Sequence, residues 1–205
     1  MASDKIFTAV GLMSGTSMDG IDAALIHTDG RGVVEPLEFH ARAYDDEMRR
    51  SLRACLGARP DDAARAPAVA QAAERLTRLH AAAVADLLRQ AGCAAQSVDL
   101  IGFHGHTISH APQHRFTWQI GDGALLANLT GVDVVCDFRS ADVAGGGEGA
   151  PLVPLYHQAL AVAAGLPRPL ALLNLGGVAT VTWVGEADDE VLAGDVGPGN
   201  ALIDD

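Results

Sequence analysis

The chain has 205 residues and a formal charge of −12, with 26 acidic residues against 14 lysines and arginines. That length holds one domain, or one domain and part of a second, and the acidic excess argues against a nucleic-acid backbone as the main partner. Apolar residues make up 49% and charged residues 20%, which excludes a disordered chain, and aromatics at 4% leave a core built from Ala, Val, Leu and Ile.

Lys5 is the only lysine. A Walker-type phosphate loop needs a lysine after its glycines, so that class of nucleotide site is excluded. The N-terminus carries no basic-then-apolar signal region and no apolar run reaches membrane length, so no membrane partner is expected. Cys55, Cys93 and Cys136 are far apart and form no CxxC. Reduced thiols in a cytoplasmic setting account for them most simply. The Asn128-Leu129-Thr130 sequon is then a chance match.

In chain order, residues 6–13, 21–27 and 33–44 read as strands, the first two joined by a Gly-rich turn and the last two by Asp29-Gly30. Turns this short imply antiparallel neighbours, hence an opening meander. Residues 45–56 read as a short helix begun by acids and stopped by Gly57. A long helix follows from Pro67 to a stop at Gly92. Val69, Ala72, Ala73, Leu76, His80, Ala83, Val84, Leu87 and Leu88 recur on one face of it.

The rhythm then changes. Residues 98–103, 116–120 and 132–136 read as strands, 124–129 as a short helix and 151–164 as a further helix. The order suggests an α/β fold, a mixed sheet with helices on its faces. After the Gly165–Pro169 punctuation, residues 170–175, 179–184 and 190–195 read as three more strands joined by Gly-rich turns. The opening meander starts over, which predicts a first domain over residues 1–166 and the beginning of a second over 167–205. The last residues, after Gly197-Pro198-Gly199-Asn200, read as the first turn of a helix.

Five constellations could carry chemistry. GLMSGTSMDGID (11–22) joins the first two strands: its glycines let backbone approach a ligand, its hydroxyls add donors, and successive N–H groups in such a turn cradle phosphate oxygens. A plain Gly-rich hairpin is the alternative, and a Ser17 nucleophile is disfavoured because the pattern is G-x-S-x-D between two strands. HGHT (104–107) reads as strand-end polar residues lining a cleft. A metal site is disfavoured there because no Cys, Asp or Glu interleaves at ligand spacing. In Asp137-Phe138-Arg139 and the Gly145–Gly149 run, a loop bends before a helix and Arg139 can hold an anion. The alternative is a flexible connector with an Asp137–Arg139 surface pair. Asn174-Leu175-Gly176-Gly177 mirrors the first motif in its placement, so two glycine hairpins can close on phosphates from both sides. Asp195, before a Gly-Pro-Gly turn, can act as a general base or as an ordinary helix cap.

Taken together, GLMSGTSMDGID (11–22), HGHT (104–107), QIGDGALLANLTGVDVVCDFRSADVAGGGEGAPLVP (119–154), LNLGG (173–177) and GDVGPGNALID (194–204) resemble the anhydro-N-acetylmuramic acid kinase family. The resemblance implies two RNase H-like domains around a nucleotide cleft, as in the actin, hexokinase and Hsp70 group. It implies an enzyme of murein recycling that uses ATP, Mg²⁺ and water to open the 1,6-anhydro bond while phosphorylating O6, giving N-acetylmuramic acid 6-phosphate. Carried over, Gly15, Thr16, Ser17, Met18, Asp19, Gly20, Ile21 and Asp22 form the ATP phosphate segment, joined by Gly176 and Gly177. Asp195 is the catalytic base, His104, His106, Arg139 and Asp142 contact the sugar, and no residue is assigned to a metal. The resemblance also suggests a homodimer.

Two positions depart from the pattern: His106 stands where the family motif has Gln, and Thr180 where it has Asn. Members run to nearly twice this length, so the 205-residue chain alone is expected to be inactive or nearly so. A truncated remnant that binds nucleotide weakly, and a kinase of the same superfamily for another amino sugar, are the alternatives.

Overall fold

The computed structural model describes residues 5–200. The expected helical turn after Asn200 lies outside those residues. The opening meander forms as expected. Strands β1 (Phe7–Ser14), β2 (Gly20–Thr28) and β3 (Val34–Ala43) pair antiparallel in sequence. Helices α1 (Asp46–Cys55) and α2 (Ala66–Ala91) follow. The Asp45 carboxylate accepts the Met48 N–H and starts α1, while Gly92 ends α2 in the left-handed conformation.

Strand β4 (Leu100–Ala111) then returns to the centre of the sheet. Its first half runs parallel to β1 on one side and to β6 (Val134–Cys136) on the other. Its second half turns back through a hairpin into antiparallel β5 (Phe116–Ile120). Along the path through β4 to β6 the order is β3-β2-β1-β4-β6, a mixed sheet of the RNase H-like type, with β5 extending its far end. Two short helices, α3 (Gly123–Thr130) and α4 (Ser140–Gly145), flank β6.

The sequence reading stopped the central strand at Phe103, but β4 continues for eight more residues, so HGHT lies inside a strand and not at its end. The cause is the hairpin. Pairing with β5 supplies the ladder hydrogen bonds that carry β4 past its partners β1 and β6. Helix α4 was also missed, hidden by the run of glycines that begins at its last residue.

The core lies between the sheet and the helices α1, α2 and α3. Ile21, Ala23 and Leu25 alternate inward from β2, and Val10 and Leu12 from β1. Leu76, Ala83, Val84 and Leu87 come from the single apolar face of α2. Burying each large aliphatic side chain contributes roughly 1.5–3 kcal/mol, so this stripe decides where α2 sits. His80 lies on the same stripe. Its ring meets Phe103 edge-on at 4.9 Å, and its Nδ1 lies 2.9 Å from the Leu76 carbonyl.

Helix α5 (Pro154–Ala163) leads to the second meander, β7 (Leu170–Leu175), β8 (Val178–Val184) and β9 (Val191–Pro198), antiparallel throughout. One face of this sheet meets α5, where His157 Nδ1 lies 2.8 Å from the buried Thr182 hydroxyl. The other face carries exposed Leu173, Leu175, Trp183 and Leu192.

Candidate functional site

The β1–β2 turn divides into two parts. Gly15, Thr16 and Ser17 face open space, and no hydrogen bond among the described residues takes up the N–H of Thr16 or Ser17. The rest of the segment builds the turn. Met18, at φ +55°, and Ile21 are buried in the core. A Cβ on Gly20 would lie 2.4 Å from the Arg42 carbonyl oxygen, so this glycine serves the β2–β3 contact. Asp19 accepts from the Ser17 hydroxyl at 2.6 Å and from the Gly20 N–H, and the first of these bonds holds its carboxyl below the usual range. Partial desolvation, with the Asp19 charge nearby, pushes the Asp22 carboxyl up.

Residues 104–106 sit where β4 passes from β1 to β5. Gly105 has φ +72°, and a Cβ there would lie 2.4 Å from the Ile120 carbonyl oxygen. This kink sends the two histidines to different places. His104 accepts the Arg139 Nε–H at its Nε2, 2.9 Å away. A guanidinium can only donate, so the imidazole is neutral and its Nδ1–H donates to the Gly105 carbonyl. Burial, with Arg139 beside it, lowers the His104 pKa.

His106 turns inward and is fully buried, with Nδ1 2.9 Å from the Ser14 hydroxyl, which also accepts from Tyr44 Oη at 2.7 Å. Burial lowers its pKa to about 4. His106 is expected at the sugar; here its ring ties the end of β1 to β4. Its Nε2 has no hydrogen-bond partner among the described residues, and neither does the buried Nε2 of His80.

Arg139 is half-buried. Besides His104, it donates through Nη1 to the Gly149 carbonyl, so the alternative Asp137 surface pair does not form. Asp142 lies on α4, and its Oδ2 accepts the Gly149 N–H at 2.7 Å. The carboxylate thus closes the glycine loop on itself and does not line the cavity beside Arg139.

On the second sheet, Gly176 and Gly177 form the β7–β8 turn. Their carbonyls accept the N–H groups of Asn200 and Gly199. Asp195 stands on β9 opposite Thr180, whose hydroxyl donates to its Oδ1 at 3.1 Å. Thr180, which the sequence marks only as a departure, orients the expected base.

These elements meet around a cavity of about 350 Å³. Gly15, Thr16 and Ser17 form one wall, Gly176, Gly177 and Val178 another, and His104 and Arg139 the floor between them. The two glycine turns that the sequence reading paired across 160 residues do face each other. Asp195 does not line this cavity. It sits on the neighbouring strand, paired with Thr180, which is two residues along β8 from Val178. A second cavity of about 270 Å³ adjoins on the other side of His104, lined by Thr117, Gln119 and Asp137 among others. Sequence reasoning named neither Thr117 nor Gln119 as a site residue, and Asp137 only as part of the Asp137-Phe138-Arg139 run. The alternation of Thr117 and Gln119 along β5 was the available signal.

A profile of the anhydro-N-acetylmuramic acid kinase family matches residues 7–205. The chain belongs to that family. Proteins named anhydro-N-acetylmuramic acid kinase from Rhizorhabdus wittichii and Rhodospirillum rubrum are 54% and 55% identical to it over 199 and 203 residues, which cover 96% and 99% of this chain. The same alignments cover 54% and 52% of those proteins, so the chain spans about half the length of the curated relatives it matches. Among solved structures, YeaZ from Pseudomonas aeruginosa aligns over 94% of this chain and 68% of its own at a TM-score of 0.35 and 14% identity. An exopolyphosphatase-like protein aligns over 96% and 52% at 0.42 and 12%. No helix among the described residues is long and apolar enough to cross a membrane.

Proposed function

We propose that the chain supplies the phosphate-gripping and sugar-facing half of an ATP-dependent kinase. Its reaction opens 1,6-anhydro-N-acetylmuramic acid and yields N-acetylmuramic acid 6-phosphate. The observation that carries this reading is the cavity between two glycine turns from separate sheets, floored by Arg139 and His104. The free N–H groups of Thr16 and Ser17 suit phosphate oxygens, and so does a guanidinium whose neighbour is a neutral histidine. We read residues 1–166 as one domain and 167–205 as the start of a second, supported by the two separate meanders.

In this reading Asp195, with one oxygen held by Thr180, takes a proton from water as the water oxygen bonds to the anomeric carbon. The bond from that carbon to O6 breaks, O6 bonds to the γ-phosphorus, and the bond from phosphorus to the bridging oxygen of ADP breaks. The chain's part is positioning and charge stabilisation, the usual means of phosphoryl transfer. Mg²⁺ bound to the triphosphate would offset its charge. The reading places Mg²⁺ on the triphosphate and names no protein ligand for it.

The reading concerns a protein of the relatives' length. The 205-residue chain alone, spanning about half of it, is expected to turn over little or nothing. The test is ³¹P NMR of ATP with 1,6-anhydro-N-acetylmuramic acid. One sample holds this chain alone, and another holds it fused to the remaining length of the Rhizorhabdus wittichii relative. A sugar 6-phosphate from the fusion supports the reading. Phosphorylation of an ordinary amino sugar but not of the anhydro sugar favours the superfamily alternative.

A further inference from the structure

We propose that the β4–β5 hairpin is the recognition platform for the acceptor sugar, with Gln119, Thr117, Thr107 and His110 as its specificity-determining residues. This deepens the proposed function and rests on it.

The platform depends on a register shift. β4 and β5 pair Thr107 with Gln119 and His110 with Thr117, three residues on one strand against two on the other. The extra residue lies at Ile108, where the ladder shifts. Its side chain is buried and its carbonyl accepts the Gly57 N–H at 2.7 Å. Without the bulge, residues 107 and 110 would point to opposite faces of the strand. With it, both join residues 117 and 119 on one face.

The four side chains bond to one another. Gln119 Nε2 donates to Thr117 Oγ1 at 2.8 Å and to Thr107 Oγ1 at 3.2 Å, and His110 Nδ1 lies 2.9 Å from Thr117 Oγ1. The amide therefore spends both of its hydrogens inside the row. Its Oε1 takes no hydrogen bond among the described residues, and neither the Thr107 hydroxyl hydrogen nor His110 Nε2 is engaged. A pre-oriented acceptor, a hydroxyl donor and a ring nitrogen remain for a ligand.

The row also bridges the two cavities. Thr107 and His110 line the one between the glycine turns, and Thr117 and Gln119 line its neighbour. A ligand on this face would lie beside the phosphate cradle, with His104 lining both cavities. The row has no charged carboxylate or guanidinium, which suits a ring with several hydroxyls and an N-acyl group better than a further phosphate. Such an amide N–H would donate to Gln119 Oε1.

The test is titration calorimetry of the fusion with 1,6-anhydro-N-acetylmuramic acid and, separately, with ATP, for the unaltered fusion and its Gln119→Met and Gln119→Glu variants. Met keeps length and removes the acceptor, while Glu keeps the acceptor. The expected result is a sugar Kd raised about tenfold or more in Gln119→Met, recovered at least in part in Gln119→Glu, with ATP binding and melting temperature unchanged. Unchanged sugar binding in Gln119→Met overturns the platform alone. Loss of both ligands with a lowered melting temperature assigns the row to hairpin stability and also overturns it. If the unaltered fusion binds ATP but not the sugar, the proposed substrate fails, and the platform with it.

Discussion

Thr180 donates its hydroxyl to Oδ1 of Asp195 across the β8–β9 ladder, at the point where the pairing register shifts. Thr180 is buried and Asp195 is exposed. The buried partner fixes one oxygen of the carboxylate, and in the proposed reaction the other takes the proton of the substrate water. Thr180→Val keeps shape and strand preference and removes that bond. In the active fusion it is expected to lower kcat about tenfold with the KM for ATP unchanged, read from steady-state kinetics. Thr180→Ser is expected to recover most of the rate. An unchanged kcat in the valine variant would show that the bond does not position the base.

The glycines of the first turn have different work, and one pair of substitutions separates them. A Cβ on Gly15 meets only the Ser17 hydroxyl, at 3.4 Å, while one on Gly20 strikes the Arg42 carbonyl oxygen. Gly15→Ala is expected to melt like the unaltered chain but to bind ATP more weakly, because the methyl group stands where phosphate approaches. Gly20→Ala is expected to lose about 1–3 kcal/mol of stability by overpacking. Thermal melts and ATP titrations of the two variants check both statements.

Much of this was legible in the sequence, for physical reasons. Both meanders announce themselves by short Gly-rich turns between apolar runs, and the α2 stripe by its helical period. The pairing of Gly15 with Gly176 and Gly177 followed from their like placement in the two meanders. The inward turn of His106 was not legible. Nothing in HGHT tells which histidine faces the cavity, because the Gly105 kink breaks the alternation that would have answered it. The Asp142 contact with Gly149 was not legible for a related reason: the short helix that carries Asp142 aims its carboxylate there. Gln119 was overlooked because its face is set by a bulge on the opposite strand.

Burial holds the pKa values of His80 and His106 at about 4, against an ordinary value of 6.5. The unfolded chain therefore binds more protons than the folded one between those values. The stability these two neutral rings confer is complete above about pH 6.5 and is lost as the pH falls toward 4. Urea melts are expected to show a decline over that window, on the order of a few kcal/mol for the pair. His106→Gln keeps a polar partner for Ser14 and removes one titrating group, so the slope is expected to become shallower. An unchanged slope in that variant would exclude His106 as a source of the pH dependence.

Arg139 joins the floor of the cavity to the glycine loop through His104 and Gly149. Lysine keeps the charge but cannot serve both partners and an anion with one ammonium group. Arg139→Lys is expected to weaken ATP or sugar binding at least several-fold. It is also expected to increase proteolytic cleavage within residues 145–150, measured by limited digestion. Retention of both properties would show that charge alone suffices at this position.

The most direct test of the central claim is ³¹P NMR of the fusion with ATP, Mg²⁺ and 1,6-anhydro-N-acetylmuramic acid, compared with its Asp195→Asn variant. The account expects a new sugar phosphate signal and ADP in equal amounts from the fusion, and a rate at least about a hundredfold lower from the variant. A folded fusion that binds ATP yet forms no sugar phosphate, or an Asp195→Asn variant that works at the unaltered rate, would contradict it.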